Sequence, residues 1–357
     1  MKTTKLILPS RQSSLSQLNR LLKMPTYSSA KYYILTDENT SEHCLALLVS
    51  KVEAFQESEF LEIEGGECNK TLDIASQLWQ ALLDMSADRD CIIVNLGGGV
   101  ITDLGGFVAA GFKRGVKYIN IPTTLLGMID ASIGGKTAVN IAGIKNQIGF
   151  FHQPEVVCVE PEFLNTLPRR EWISGLCELM KTLMIGDSDL YAHFSLMLKA
   201  EMPVLDNEVI KAAAQIKTAI VKEDLYDTGI RKMLNFGHTL GHAIESFSLA
   251  HDTEPLSHGE AIGIGIVAET YLSVKKMGFD KAEYDNVALL LSSLVAMPKY
   301  NLKDMEELLS YIYADKKNAN GEIRCVLLQS IGQAAIDVVV SDAEVCDALM
   351  HLAKVGK

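Results

Sequence analysis

Between residues 32 and 124, short β-branched apolar runs alternate with stretches of helical spacing, and this alternation constrains the fold more than any other feature. Tyr32 to Asn39 (YYILTDEN) reads as a strand running into a polar turn, and Phe60 to Ile63 as a second strand. Thr71 to Met85 carries apolar residues at helical spacing. Cys91 to Gly99 (CIIVNLGGG) is an apolar strand ending in glycines, Val100 to Gly111 a small-residue helix, and Tyr118 to Thr124 another strand. Strands alternating with helices predict an α/β domain with a parallel, doubly wound, Rossmann-like sheet. Ligands of such sheets bind at the carboxyl ends of the strands, where the polar and glycine residues fall here.

After Pro161 the periodicity becomes helical. It runs through Arg169 to Ile185, Glu208 to Lys222, Leu240 to Phe247, Glu260 to Lys276, Tyr284 to Leu294, Leu302 to Asp315 and Asp342 to Val355. Only Ile323 to Leu328 and Ala334 to Val340 look extended, as a small hairpin. A chain of 357 residues favours two domains. The expected division is an α/β domain over 1–160 and a mainly α-helical domain over 161–357, with no long linker and no internal repeat. The active site is expected in the cleft between them, a usual place for ligands.

A formal net charge of -12 argues against nucleic-acid and anionic-membrane partners, though local basic residues still permit an anionic small molecule. No apolar run reaches the length of a membrane span, and MKTTKLILPSRQ lacks the apolar core of a signal peptide. The seven cysteines are scattered with no CxxC pair, which fits buried thiols in a reducing cytoplasm.

The chemistry concentrates between Leu234 and Glu260. His238, His242 and His258 fall within 21 residues, in a chain with eight histidines. His238 and His242 are four apart in a helical pattern and share a face. Glu178 and Lys181 in SGLCELMK sit at i and i+3 on another helix. Alone, such a pair is an ordinary surface ion pair. Joined to two imidazoles, the glutamate completes a His₂Glu set of the catalytic zinc type. His43, His152, His193, His251 and His351 have no such partners; His251 is the nearest to the cluster.

Three more segments carry signals. GGGVITD (Gly97 to Asp103) follows a strand and opens a helix, so it is either a phosphate-binding turn or merely a tight one. It lacks the GxGxxG spacing of the dinucleotide fingerprint. Asp37 and Asn39 either contact a ribose or build a turn. Ile121 to Asn140 packs Thr123, Thr124, Asp130, Ser132, Lys136 and Thr137 among glycines, followed by Lys145 and Asn146, and reads as a binding loop. Basic residues recur near these motifs: Arg114, Lys136, Lys145, Lys181, Lys217 and Arg231, with Lys316 or Lys317. In an acidic chain they suggest a phosphate or carboxylate ligand.

Taken in order, TDEN, GE-x-x-K (Glu67 to Lys70), GGGVITDLGGF, IPTTLLGMIDASIGGKTAVN, KNQIGFFHQP, SGLCELMK, LNFGHTLGHAIE, HGEA and DKKN resemble the 3-dehydroquinate synthases of the sugar-phosphate cyclase superfamily over nearly the whole chain. The resemblance implies conversion of 3-deoxy-D-arabino-heptulosonate 7-phosphate (DAHP) to 3-dehydroquinate, the second step towards chorismate. It implies catalytic NAD and a divalent metal, zinc or cobalt. The family's route is transient oxidation at carbon 5, β-elimination of phosphate, re-reduction, ring opening and intramolecular aldol closure.

By the same resemblance, Glu178, His238 and His258 hold the metal. Lys136, Asn146, Arg231 and His242 surround the phosphate. Asp130, Lys181, Lys217, Asn235 and Lys317, chosen over Lys316, hold hydroxyls and the carboxylate, while Arg114 reaches across from a dimer partner. Catalytic roles fall to Lys136, Asn146, Glu178, Lys181 and His242. NAD contacts come from Asp37 and Asn39, from Gly65, Gly66, Glu67 and Lys70, and from Gly98, Gly99, Val100, Ile101, Thr102 and Asp103. Further NAD contacts are Thr123, Thr124, Lys136 and Lys145, then the turn Phe163, Leu164, Asn165, Thr166 and Leu167. A cytoplasmic homodimer is also implied. The HDTEPLS loop between the metal histidines looks a few residues longer than in many relatives, and VNIAGIKN replaces a more polar version. The rivals are a cyclase acting on sedoheptulose 7-phosphate or glucose 6-phosphate, and a metal-dependent polyol dehydrogenase.

Overall fold

The computed structural model describes residues 4–142, 144–199, 205–314 and 321–355. The chain divides into two compact units: residues 1–168 with 210–218, and residues 169–209 with 219–357. The helix Asn207–Glu223 therefore contributes its middle to the first unit, a return of the chain that helical periodicity cannot announce.

The first unit is built on six parallel strands: β1 (Lys5–Ile7), β2 (Tyr32–Asp37), β3 (Glu59–Ile63), β4 (Ile92–Gly97), β5 (Lys117–Pro122) and β8 (Val156–Cys158), in the order β1-β8-β5-β4-β2-β3. Every residue of β4 is buried, as is every residue of β2 but Asp37. Strands covered on both faces read as continuous apolar runs. On one face Tyr33, Leu35 and Ile93 pack with Leu78 and Leu82 of the helix Leu72–Asp84 and with Leu104 and Phe107 of the helix Gly99–Gly111. The remaining strands of this unit, β6 (Lys136–Ile141) and β7 (Ile144–Phe151), form a separate antiparallel hairpin.

That hairpin corrects the reading of Ile121 to Asn140 as a loop. Only its middle is irregular, with a π-helical turn over Gly127–Ala131. Lys145 and Asn146 stand at the start of β7 rather than in a loop. β1 and β8 have three residues each, too short to register as a pattern.

The second unit is mainly helical. Its centre is the helix His258–Met277, buried without a break from Ala261 to Thr270. A Cβ at Gly259 would stand 2.1 Å from the Ser174 carbonyl oxygen, and one at Gly265 2.1 Å from that of Gly237. Glycine at both positions lets this helix touch the backbones of the helix Arg169–Gly186 and of the turn before the helix His238–His251. The helix Ser188–Leu198 had no sequence expectation. β9 (Ile323–Ser330) and β10 (Gln333–Val340) form the expected hairpin, antiparallel and with two register shifts. Among the described residues, no helix is long and apolar enough to cross a membrane.

Candidate active site

Local sequence sets where the histidines point. Ser257 caps the helix His258–Met277 in a reciprocal box with Glu260, which makes His258 the first helical residue. Gly237 precedes the other helix in the left-handed conformation (φ 77°), so His238 opens it, and His242 follows one turn later. Glu178 lies mid-helix in Arg169–Gly186 and is fully buried. Three helices thus bring four groups together. One ring nitrogen from each of His238, His242 and His258 lies within 4.8 Å of the other two.

Glu178 Oε1 stands 3.3 Å from His258 Nε2 and 3.5 Å from His238 Nε2. Two ligands of a tetrahedral cation bound at about 2.0–2.1 Å are separated by about 3.3–3.4 Å, so these distances match the edges of a metal site. Glu178 Oε2 is 2.6 Å from Lys181 Nζ, itself buried. The Glu178–Lys181 pair is therefore an interior pair, and not the ordinary surface ion pair that its spacing also permits.

The far ring nitrogens are also engaged. His258 Nδ1 is 3.0 Å from Glu245 Oε2, and His238 Nδ1 is 3.1 Å from the Phe236 carbonyl oxygen. These partners turn both Nε2 atoms towards Glu178, the arrangement metal-binding histidines usually adopt. Burial pushes the Glu178 carboxyl up, but the Lys181 ammonium and the His258 ring outweigh it and hold the group below the ordinary carboxylate range. Burial pulls His258 down; the carboxylates of Glu178 and Glu245 outweigh that and raise it to about 9. The pocket is thus an attractive one for positive charge. Both Glu178 oxygens are buried without a well-directed hydrogen bond, and a cation beside Oε1 would satisfy that deficit.

Elsewhere in the second unit, Arg231 is buried, and its guanidinium donates to the Leu225 carbonyl at 2.7 Å. Asn235 ends the same short turn, Ile230–Asn235, two residues before Gly237. His251 is exposed and pairs with Glu307 at 2.9 Å, outside the cluster. Lys316 and Lys317 lie outside the described residues.

In the first unit, buried Lys70 donates to Asp103 at 2.6 Å and to the Asn146 side-chain carbonyl at 2.7 Å. Burial lowers the Lys70 ammonium, yet Asp103 and Glu67 outweigh it and keep it charged. Asn140 ties this group together: its amide donates to Glu67 Oε1 at 2.9 Å and its carbonyl oxygen accepts from the Asn146 backbone N–H at 2.9 Å. Asp37 builds a turn, capping the short helix Glu38–Thr40, and Asn39 lies within that helix. Gly98 is the N-cap of the helix Gly99–Gly111; no side chain caps that end, and a Cβ on Gly98 would come 2.9 Å from Thr124. Such an uncapped N-terminus beyond a β-strand suits a phosphate. Thr123 is buried, and Thr124 Oγ1 accepts from the Gly127 N–H at 3.0 Å. Gly65 and Gly66 precede the short turn Glu67–Asn69, and Pro161–Thr166 forms a 3₁₀ turn. Lys217 Nζ reaches Asp130 Oδ1 at 2.5 Å and its carbonyl oxygen at 2.7 Å. Arg114, Lys136 and Lys145 are exposed.

Comparison with known proteins decides the family. Profiles described as 3-dehydroquinate synthase N-terminal and C-terminal match residues 60–174 and 175–318. The chain belongs to the 3-dehydroquinate synthase family. A 3-dehydroquinate synthase of Parabacteroides distasonis is 39% identical over 329 residues, covering 90% of this chain and 92% of that one. Among solved structures, a 2-epi-5-epi-valiolone synthase from Streptomyces hygroscopicus with NAD+ and Zn2+ bound matches at TM-score 0.81 and 25% identity, covering 99% of this chain and 97% of that one. A 2-deoxy-scyllo-inosose synthase complexed with carbaglucose-6-phosphate, NAD+ and Co2+ matches in fold at TM-score 0.79 and 24% identity, covering 98% and 96%.

Within this 3-dehydroquinate synthase family member, two side chains at the sites fall outside the sequence expectation: Glu245 and Asn140. Glu245 had a usable signal. It lies seven residues after His238, on the same helical face, which is where a carboxylate partner for a neighbouring imidazole belongs. Asn140 bonds Glu67, 73 residues away, and spacing carries no trace of that contact.

Proposed function

We propose that this chain converts DAHP to 3-dehydroquinate and phosphate, with NAD used catalytically and a divalent cation, zinc or cobalt, held by Glu178, His238 and His258. The observation that carries the reading is the placement of Glu178 Oε1 at 3.3 and 3.5 Å from two Nε2 atoms, with both Nδ1 atoms already engaged. When bound, the cation supplies Lewis acidity to substrate hydroxyls and NAD supplies the transient oxidation.

The chain's own residues bind and orient. Glu178 and Lys181 present a buried negative and positive group side by side, one for the cation and one for an anionic or hydroxyl group of the substrate. His242, one turn from His238 with ring centroids 5.3 Å apart, and Arg231 would face the phosphate. Asn235 would meet a hydroxyl, as would Lys317. In the first unit, the Gly98 turn, Lys70 with Asp103, and Thr123 with Thr124 would hold the dinucleotide, joined by Asp37, Asn39, Glu67 and Lys145. Lys136, Asn146, and Asp130 paired with Lys217 are assigned to substrate on the motifs they match. A homodimer, with Arg114 serving a partner subunit, and a cytoplasmic location belong to the same reading and rest on family membership.

Phosphate release from DAHP by the purified protein with NAD, with and without a chelator, tests it. Chelator-sensitive release without net NADH is expected. Net NADH formation would make the chain a polyol dehydrogenase, and turnover of sedoheptulose 7-phosphate in place of DAHP would make it a sister cyclase. Either result overturns the assignment.

A further inference from the structure

The helix His238–His251 begins on Gly237, which has no side chain with which to cap it. N-terminal amides buried without a partner are costly, so a cap must come from elsewhere. It comes from Glu269, fully buried on the helix His258–Met277. Glu269 Oε2 accepts from the Gly237 N–H at 2.7 Å, and Oε1 accepts from the Leu240 N–H at 3.1 Å. A carboxylate is well placed at the positive end of a helix.

The Gly237 N–H belongs to the peptide unit whose carbonyl is that of Phe236. That carbonyl oxygen is the partner of His238 Nδ1, at 3.1 Å. A trans peptide is a rigid plane with its N–H and C=O pointing in opposite directions. One plane therefore has Glu269 on one edge and the His238 ring on the other. Fixing the first fixes the direction from which the ring is held, and hence where Nε2 points. The backbone just beyond this plane also has little room: a Cβ at Gly237 would meet Ile266 at 2.6 Å, and in the following peptide unit the Gly237 carbonyl oxygen would lie 2.1 Å from a Cβ at Gly265.

We propose that Glu269 is a positioning residue for the histidine cluster, acting on His238 through the Phe236–Gly237 peptide unit. The bonds by which it acts are to backbone, the N–H groups of Gly237 and Leu240. The inference rests on the metal reading above. It differs in kind from the His258–Glu245 contact, because here a side chain orients an imidazole through backbone.

The test is zinc affinity, measured by chelator competition on wild type, Glu269→Ala, Glu269→Gln and a destabilised control, Leu290→Ala, whose side chain is buried on the helix Lys281–Leu294. Thermal unfolding of each metal-free protein is recorded alongside. Glu269→Ala should weaken zinc binding by about 10- to 100-fold, the range found when outer partners of metal histidines are removed. Leu290→Ala should lose stability and keep its zinc affinity. Glu269→Gln retains one acceptor for two N–H groups, so its affinity should fall between wild type and alanine; it decides the matter if the alanine variant does not fold. Should the Glu269 variant that folds bind zinc within twofold of wild type, or weaken no more than Leu290→Ala, the inference fails while the metal reading stands. If wild type itself binds no zinc, both fail.

Discussion

Glu178 is the residue on which the proposed chemistry turns, because it faces a buried ammonium with one oxygen and two imidazoles with the other. Removing one member of a buried ion pair leaves the other charged and unsolvated. Glu178→Ala should therefore lower the stability of the metal-free protein by about 3–5 kcal/mol, measured by urea unfolding in chelator. A loss below about 1 kcal/mol would mean that Lys181 finds water or another partner, as exposed pairs do. Glu245 acts on the same cluster through His258 Nδ1. Its replacement by glutamine keeps an acceptor there, whereas alanine does not. Zinc affinity should fall about 10- to 100-fold in Glu245→Ala and stay near wild type in Glu245→Gln. Equal losses in both would assign the effect to charge rather than to ring orientation. The histidines themselves were legible in the sequence, since i, i+4 spacing on a helix places two rings on one face. Their partners were not. A carbonyl oxygen such as that of Phe236 has no residue signature, and Glu269 lies 32 residues from Gly237, beyond any local pattern.

At the scale of elements, the helices were visible by period and blurred at their ends. The apolar pattern starts at Glu260 and at Leu240, but the helices start at His258 and His238, because Ser257 caps one and Glu269 the other. The first of the two extra residues at each start, His258 and His238, is a proposed metal ligand. The β6–β7 hairpin escaped notice because much of it is exposed on both faces, so apolar and polar residues do not alternate along β7. Close contact of the histidine helices is testable at Gly265. An added methyl there would overlap the Gly237 carbonyl oxygen, and Gly265→Ala should cost about 1–3 kcal/mol or more in thermal or urea unfolding. An unchanged midpoint would show that the helices can separate freely. A second element carries a pH signature. Glu344 completes the cap of the helix Asp342–His351; its ion pair with Lys276, then its bonds to Ser341, hold its carboxyl at about 2. A depressed carboxyl contributes stability above its ordinary range, and that contribution is lost as pH falls towards the depressed value. The stability difference between wild type and Glu344→Gln should thus be full above about pH 4.5 and vanish near pH 2. A difference that does not change with pH would contradict the assignment.

Taken as a whole, the chain keeps two kinds of chemistry on two kinds of architecture. The parallel sheet of the first unit ends in the glycine turn and the Lys70 group, while the helical unit holds the imidazoles and Glu178. The class of each half followed from period alone, because strands buried on both faces and amphipathic helices differ in how apolar residues recur. The exchange of residues 210–218 into the first unit did not, since a helix reads the same whichever core it serves. In the proposed metal centre Glu178, and not His242, joins His238 and His258 around one cation. Anomalous diffraction from zinc-loaded crystals tests it most directly. A single ion is expected at about 2.0–2.2 Å from Glu178 Oε1, His238 Nε2 and His258 Nε2. An ion held by the three imidazoles with Glu178 still bound only to Lys181, or no ion at the cluster, would contradict it.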